Sequence, residues 1–568
     1  MKLIKDNIRR CGIFLYYDKE CKVDDYVINL LKDLKESVED ILVVCNGYIP
    51  EETESRFRQV TDQILIRANA GFDVGGYREG MFYLGFQKLC QYDEVVMLNY
   101  TFFGPIYPFA EMFDSMAERD LDFWGITGHF RVDPDPYGAN RYGYMPEHIQ
   151  SHFIVVRRSM LESNEYREFM ISMKNPASYT ESICDYESIF LKHFTDLGFK
   201  GATYCDEAEY EGYVFNPVMF RLKNMIEKKR CPIIKRRSFF TEYSDFLLNS
   251  CGEGSAEAYE YIRDVLHYDT NPIWDNLLRL ENMTEIARAM QLNYMLSQED
   301  LLNGFFPEQR IALYILVNSE KYLSEYQKAI ADMKLSMDVH WIMDQKEETN
   351  SKALMDILTD TKTNYEYIGV LRVMDVENHP PYSNNISWQY ADWKNVVATK
   401  TYIRNVFTCF DENERMGLLI PPAPEFGSLF ARREDGWYGR YGAVELFLME
   451  HGITVNFKRV DEPLAPVGGS FWIKTAGIKE LLAQKNQLVE ELSANTDYLQ
   501  MMLILPFLVQ QGGYYTGTAY NMDYASIAVT NQDYMMRELN RTVFPKYGAN
   551  LHVVVQECIE RDDFVNKR

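Results

Sequence analysis

No C-x-x-C pair occurs in the chain: its ten cysteines stand singly at 11, 21, 45, 90, 184, 205, 231, 251, 409 and 558. That pattern excludes a zinc ribbon or a disulfide framework and fits a reducing cytoplasm. Uninterrupted apolar runs are also missing. A spanning helix needs ~18 such residues, and even Met501–Val509 breaks at Gln510-Gln511-Gly512-Gly513, so membrane contact is expected to be peripheral. The opening Met1-Lys2-Leu3-Ile4-Lys5-Asp6 predicts no export leader, since no apolar core or small-residue cleavage site follows the charge. Positive charge is in deficit. With 84 acidic against 59 basic residues the net charge is −25, which repels polyphosphate and argues against nucleic acid as a partner.

What is present is a globular composition, 46% apolar and 14% aromatic over 568 residues, long enough for several cores. The first third alternates short apolar strands with amphipathic segments, the rhythm of an α/β protein with a mostly parallel sheet. Cys11–Tyr17 reads as a strand, Tyr26–Ser37 as a helix with Val27, Leu30, Leu31 and Leu34 on one face, and Ile41–Val44 as a buried strand. Ile64–Ile66 leads into a glycine-rich turn, and Glu94–Leu98 is a further buried strand. From about Tyr210 helical spacing dominates, as in Ile286–Leu296, and the α/β rhythm resumes at Ile311–Val317.

The resumed rhythm replays the start of the chain in order, the mark of an internal repeat. Tyr92–Leu98 is echoed by Tyr365–Leu371, Asp122–Gly128 by Arg415–Pro421, and Ser151–Arg158 by Gly469–Lys474. Three parts are therefore expected: an α/β domain over 1–209, a helical connector over 210–307 and a second, related α/β domain over 308–568.

The densest candidate site is Arg67-Ala68-Asn69-Ala70-Gly71-Phe72-Asp73-Val74-Gly75-Gly76-Tyr77-Arg78-Glu79-Gly80. Its glycines allow close backbone approach to a ligand, and a helix starting here would turn free N–H groups toward a phosphate. Asn69 and Asp73 could bond a base or ribose, and Arg67 or Arg78 a pyrophosphate. A glycine turn with a capping Asp remains the competing reading, and the spacing is not G-x-G-x-x-G. At the end of the next strand, Asn99-Tyr100-Thr101 carries no paired carboxylates of the kind that bridge Mg²⁺ or Mn²⁺ to a diphosphate. Asp133-Pro134-Asp135 lies in a Pro/Gly/Tyr stretch and reads as a loop. Asp185 and Glu187 open a helix-like segment, where a carboxylate can act as general base or merely complement the helix dipole. His148 and His152 have a zinc-like spacing only if helical, and they run into a strand. Arg221–Arg237 holds eight Lys or Arg against Glu227 alone, followed by Phe239 and Phe240. This reads as an anionic membrane or lipid-diphosphate contact over 221–240, or as a solvated face paired with the chain's own acids.

These words together resemble the rhamnan synthesis protein F family of bacterial glycosyltransferases. The resemblance rests on Arg67–Tyr77 with its N-x-G-F-D-x-G-G-Y core, Tyr92–Pro105, Asp122–Gly128, His148–Arg157 and Cys231–Phe240. In the second half it rests on Gly417–Pro422, Pro463–Trp472 and Pro506–Tyr515. It implies two glycosyltransferase A-like domains that take a nucleotide-diphospho-sugar, dTDP-L-rhamnose foremost, and extend a lipid-linked glycan at the cytoplasmic membrane face. By the same resemblance Asn69, Gly71 and Asp73 belong to the donor region, Asn99 and Thr101 to the sugar-diphosphate position, and Glu187 to the catalytic base; the residues themselves add Arg67 to the donor group and Asp185 beside the base. Mg²⁺ or Mn²⁺ is implied as well, but Tyr100 stands where the family's acid is expected and counts against a metal. The second domain lacks the Asn-x-Gly-x-Asp word, and Arg372-Val373-Met374-Asp375 replaces a histidine motif, so it is expected to be degenerate. The alternative is a non-catalytic scaffold of a polysaccharide-assembly complex.

Overall fold

The computed structural model describes residues 2–3, 8–301, 304, 306, 310–317, 320–343, 350–360, 363–373, 382–423, 436–494, 496–548, 553–554 and 557. Met1, Ile4–Asp6, the 307/308 limit, Met374, Asp375 and Cys558, all named above, lie outside them. The chain forms two compact units, Met1–Leu277 with Arg288–Gln291, and Leu278–Ala287 with Leu292–Arg568.

The first unit is built on β1 (Arg10–Tyr16), β2 (Asp40–Asn46), β3 (Gln63–Arg67), β4 (Glu94–Asn99), β5 (Phe102–Phe103), β6 (Phe123–Gly125), β7 (Gly128–His129), β8 (His148–Ile149), β9 (Phe153–Arg157), β10 (Gly201–Thr203) and β11 (Ile234–Lys235). Seven of these make one sheet in the order β10-β6-β9-β4-β1-β2-β3. All neighbours are parallel except that β9 runs antiparallel to both β4 and β6. β1 and β4 are buried along their whole length, as near-continuous apolar strands covered on both faces should be. The helix Asp25–Ser37 buries Val27, Leu30, Leu31 and Leu34. The helix Phe72–Leu84 lies against β1 and β2: a Cβ on Gly76 would come within 2.4 Å of Leu15, and one on Gly80 within 2.7 Å of Ile13. These two glycines therefore serve helix-to-sheet packing.

Inside the sheet, Glu94 is fully buried and accepts from Arg10 Nε at 2.7 Å, Arg157 Nε at 3.0 Å and Trp124 Nε1 at 3.0 Å. A buried carboxylate is tolerable only when so paired.

The second unit contains β12 (Asn293–Leu296), β13 (Ile311–Val317), β14 (Asp338–Met343), β15 (Tyr367–Val373), β16 (Met416–Ile420), β17 (Phe471–Lys474) and β18 (Tyr515–Asn521), in the order β12-β18-β16-β17-β15-β13-β14. Again one strand, β17, runs antiparallel to both neighbours. Reading β1, β2, β4, β9, β6 and β10 against β13, β14, β15, β17, β16 and β18 gives the same sequence of neighbours. The three echoed words fall on β4 and β15, β6 and β16, and β9 and β17. The repeat is thus a repeat of sheet topology. Among the described residues β3 has no counterpart, and β12 is added at the opposite edge. The fold is α/β with two mixed, mostly parallel sheets.

One local expectation changes. Helical spacing over Ile286–Leu296 yields a helix only to Ala289; Asn293–Leu296 instead pairs with β18, because an exposed sheet edge offers hydrogen bonds that outweigh a short helix's propensity. The apolar Met501–Val509 lies in the helix Tyr498–Gln511, whose residues from Met501 to Gln510 are all buried. No described helix is long and apolar enough to cross a membrane.

Candidate functional site

The glycine-rich word begins where β3 ends. Arg67 is buried, and its guanidinium bonds Glu79 through Nε at 2.7 Å and Nη2 at 2.9 Å, Asn46 Oδ1 at 2.5 Å and the Ala70 carbonyl at 2.8 Å. Both partners of this bidentate pair are thereby fixed, and the arginine holds Glu79 below the usual carboxylate range. Gly71 takes φ +77° ahead of the helix Phe72–Leu84, a left-handed turn that glycine adopts without strain. Phe72 follows at φ +51°, which for an aromatic residue costs energy and is typical of ligand-contacting turns. Asp73 enters the first helical turn.

Asp73 is one of two carboxylates brought to Ser151, in the turn before β9. Ser151 Oγ donates to Asp73 Oδ2 at 2.6 Å, Ser182 Oγ to Asp73 Oδ1 at 3.4 Å, and the Ser151 N–H to Glu187 Oε1 at 3.1 Å. Burial, and then the charge of Glu187, raises the Asp73 carboxyl above its ordinary range. Glu187 closes a five-residue π-helical turn, Ile183–Glu187, inserted ahead of the helix Ser188–Asp196. Ser188 stabilises the widened turn by donating to the Ile183 carbonyl at 2.7 Å while accepting from Asn140 at 2.9 Å. Such single π turns re-aim a side chain and recur at functional sites.

At the end of β4, Asn99 Oδ1 accepts from Thr101 N at 3.1 Å and Thr101 Oγ1 at 2.6 Å. The chain then pairs through β5 with β11, which sets Lys235 opposite Phe102, and the Arg236 N–H donates to the Thr101 carbonyl at 3.0 Å. The basic segment is therefore tied to the carboxyl end of the sheet, where α/β folds bind ligands. A cavity of about 640 Å³ opens there. On the side of β7 and β8, the His129 and His148 rings stack 5.0 Å apart. Burial lowers them to about 3 and about 4, so both are neutral at pH 7. His152 is lowered too, by burial and then by the charge of Lys235, and its Nδ1 has no partner among the described residues.

Of the predicted site residues, Asn69, Asp73, Asn99, Thr101 and Glu187 line this cavity; Arg67, Gly71 and Asp185 do not. Asp185 is exposed on the π turn. Asp135 caps its own loop, accepting from the N–H groups of Tyr137, Ala139 and Asn140, so Asp133–Asp135 is a loop. Within the basic run, Arg221 pairs with Glu253, Lys229 with Glu209 and Arg230 with Glu111, while Lys235, Arg236 and Arg237 line the cavity. Sequence reasoning did not single out Ser151, His129, Lys235 or Arg237 individually. The pointer available for the two basic residues was the apolar Ile233-Ile234 just before them, which marks a strand rather than a solvated face.

A divalent ion does not fit the strand end. Asn99 Oδ1 already accepts two hydrogen bonds from Thr101, and the next residue is Tyr100, no carboxylate, with its phenol pushed up to about 12 by burial. Among the described residues no three His, Cys, Asp or Glu side chains gather as metal ligands.

A family model described as rhamnan synthesis protein F matches residues 41–366 and 350–507. No curated protein matches the chain. Among solved structures, core-mannan synthase A from Aspergillus fumigatus, in a Mn/GDP form, is 12% identical with TM-score 0.18, over 30% of this chain and 64% of that one. The mannosyltransferase Ktr4p from S. cerevisiae is 12% identical with TM-score 0.20, over 33% and 65%. A putative nucleotide-diphospho-sugar transferase from Desulfovibrio desulfuricans G20 is 12% identical with TM-score 0.20, over 45% and 96%. Likenesses this slight carry nothing about activity.

Proposed function

Because the chain belongs to the rhamnan synthesis protein F family, a family of glycosyltransferases, we propose that its first unit transfers a rhamnosyl group from a nucleotide-diphosphate donor to a hydroxyl of a lipid-linked glycan. Family membership supports sugar transfer in polysaccharide synthesis; the donor sugar and the lipid-linked acceptor are our finer reading. The observation that carries it is the pair of carboxylates, Asp73 and Glu187, held by one residue, Ser151, in a cavity that also contains Lys235.

Glu187 is the general base in this reading. It takes the proton of the acceptor hydroxyl as that oxygen bonds to the anomeric carbon, while the bond from that carbon to the diphosphate oxygen breaks and its electron pair leaves with the diphosphate. One displacement inverts the anomeric centre. Asp73, with Asn69, addresses the donor's nucleoside, and Asn99 and Thr101 the sugar-diphosphate. The neutral Nε2 atoms of His129 and His148, whose Nδ1 atoms lie 2.8 Å from the Phe130 and Pro146 carbonyls, are suited to accept from sugar hydroxyls.

Glu187→Gln tests the assignment, since the amide oxygen can still accept from Ser151 N–H. Turnover should fall about 100- to 10,000-fold, the usual contribution of a positioned base, with donor affinity nearly unchanged by calorimetry. Unchanged turnover would remove Glu187 from the mechanism, and a chain that binds no nucleotide sugar would be the scaffold.

A further inference from the structure

We propose that Lys235, with Arg237, forms the cationic seat of the donor diphosphate, so that the protein holds this leaving group without a divalent metal. The inference rests on the sugar-transfer reading above and deepens it.

Three observations carry it. Lys235 is placed by backbone, not by chance: β11 pairs with β5, and Arg236 N–H bonds the Thr101 carbonyl at 3.0 Å. This brings the basic segment against the Asn99–Thr101 turn, where a sugar-diphosphate is expected to lie. Next, the neighbouring cations differ in their engagement. Arg236 donates to Asn276 at 2.8 Å, whereas among the described residues neither the Lys235 ammonium nor the Arg237 guanidinium has a hydrogen-bond or ion-pair partner. Lys235 feels Glu187 and Asp73 only through space, and burial lowers its pKa against their pull. A half-buried ammonium with no bonded counter-ion favours an incoming anion. Finally, the strand end supplies no carboxylates for a metal, as shown above, yet a departing diphosphate needs positive charge to stabilise it. Preorganised Lys and Arg can supply that charge directly.

The test is calorimetry of the full chain with UDP, dTDP and GDP, and with inorganic pyrophosphate, each in EDTA and in Mn²⁺. Wild type, Lys235→Gln, Lys235→Arg and Arg237→Gln are compared, with thermal unfolding as the check on folding. The expected result is nucleoside-diphosphate binding that persists in EDTA, weakens at least tenfold in K235Q, weakens less in R237Q, recovers in K235R and declines with added salt. Binding that requires Mn²⁺, or that K235Q leaves unchanged, overturns the inference while leaving sugar transfer standing. A wild type that binds none of the probes under either condition overturns both. If K235Q alone unfolds, R237Q and the metal dependence of the wild type still decide.

Discussion

Replacing Asp392 by Asn should make the second unit more stable at pH 8 and leave it nearly unchanged at pH 4. Asp392 is 1% exposed. Ser470 Oγ donates to its Oδ2 at 2.6 Å, while Oδ1 has no partner among the described residues. Burial is the leading cause that lifts its carboxyl from the ordinary 3.8 to about 7, and Ser470 and the charge of Arg372 offset only part of that. Because the folded value is raised, the native state holds this proton more tightly than the unfolded chain. Stability is therefore full below about pH 4 and falls as pH climbs through 7. A rise of about three pH units at about 1.4 kcal/mol each corresponds to about 4 kcal/mol in all, of which about 2–3 kcal/mol is lost between pH 5 and pH 8. In D392N the amide oxygen can keep the Ser470 bond and no charge forms. The assay is urea unfolding of the full chain at pH 5 and pH 8, with pulsed hydrogen exchange on peptides covering β15 and β17 to isolate the second unit. The difference between pH 5 and pH 8 should shrink by about 2–3 kcal/mol in the variant. An identical pH dependence in both proteins would refute the reasoning, since the carboxyl would then titrate alike in the folded and the unfolded chain.

Glu94→Gln leaves Arg10 and Arg157 buried without their counter-charge, so the first unit should lose about 3–5 kcal/mol. Denaturant unfolding read by hydrogen exchange on β4 and β9 measures this, and a loss below about 1 kcal/mol would mean that the network is not what holds these strands. Gly104→Ala acts where the chain leaving β5 touches the segment that enters β11: the residue has φ +151°, and a Cβ would meet the Pro232 carbonyl oxygen at 2.7 Å. The pairing of β5 with β11 should loosen, weakening nucleoside-diphosphate binding about tenfold or more for a stability cost of about 1–3 kcal/mol; calorimetry and thermal unfolding on the same sample separate the two effects.

Strands β1, β2, β4 and β13 were legible because apolar runs such as Ile13–Tyr16 and Ile311–Val317 are buried on both faces, which is a strong, local signal. The repeat was legible because three words kept their order. β12 was not, since whether Asn293–Leu296 coils or pairs depends on the free edge of β18, more than 200 residues away in sequence. The candidate site was legible where chemistry and turn coincide, at Asn69 to Asp73 and at Asn99 to Thr101. The role of Arg67 was not, because a guanidinium looks the same in sequence whether it faces a ligand or clamps Glu79. The basic run split for the same reason: Arg221, Lys229 and Arg230 meet acids distant in sequence, and only the two-residue pairing of β11 with β5 carries Lys235 to the cavity.

The two units also show why a repeat of topology need not be a repeat of site. In each, a serine in the turn before the inserted antiparallel strand donates to a carboxylate at 2.6 Å: Ser151 to Asp73, Ser470 to Asp392. The acids come from different places, however. Asp73 is delivered by the helix that follows β3, the edge strand that has no counterpart among the described residues of the second sheet, while Asp392 ends the helix Tyr382–Asp392, beyond β15. Asp73 keeps Glu187 beside it and opens onto a large cavity; Asp392 is closed off, with the ring of Trp388 about 3 Å from where a Cβ on Gly468 would stand. A carboxyl opened to a cavity can meet a ligand, whereas one sealed by its neighbours titrates only with the fold. Among the described residues, the second sheet thus keeps the strand order without β3 and without the glycine-rich helix start that delivers Asp73.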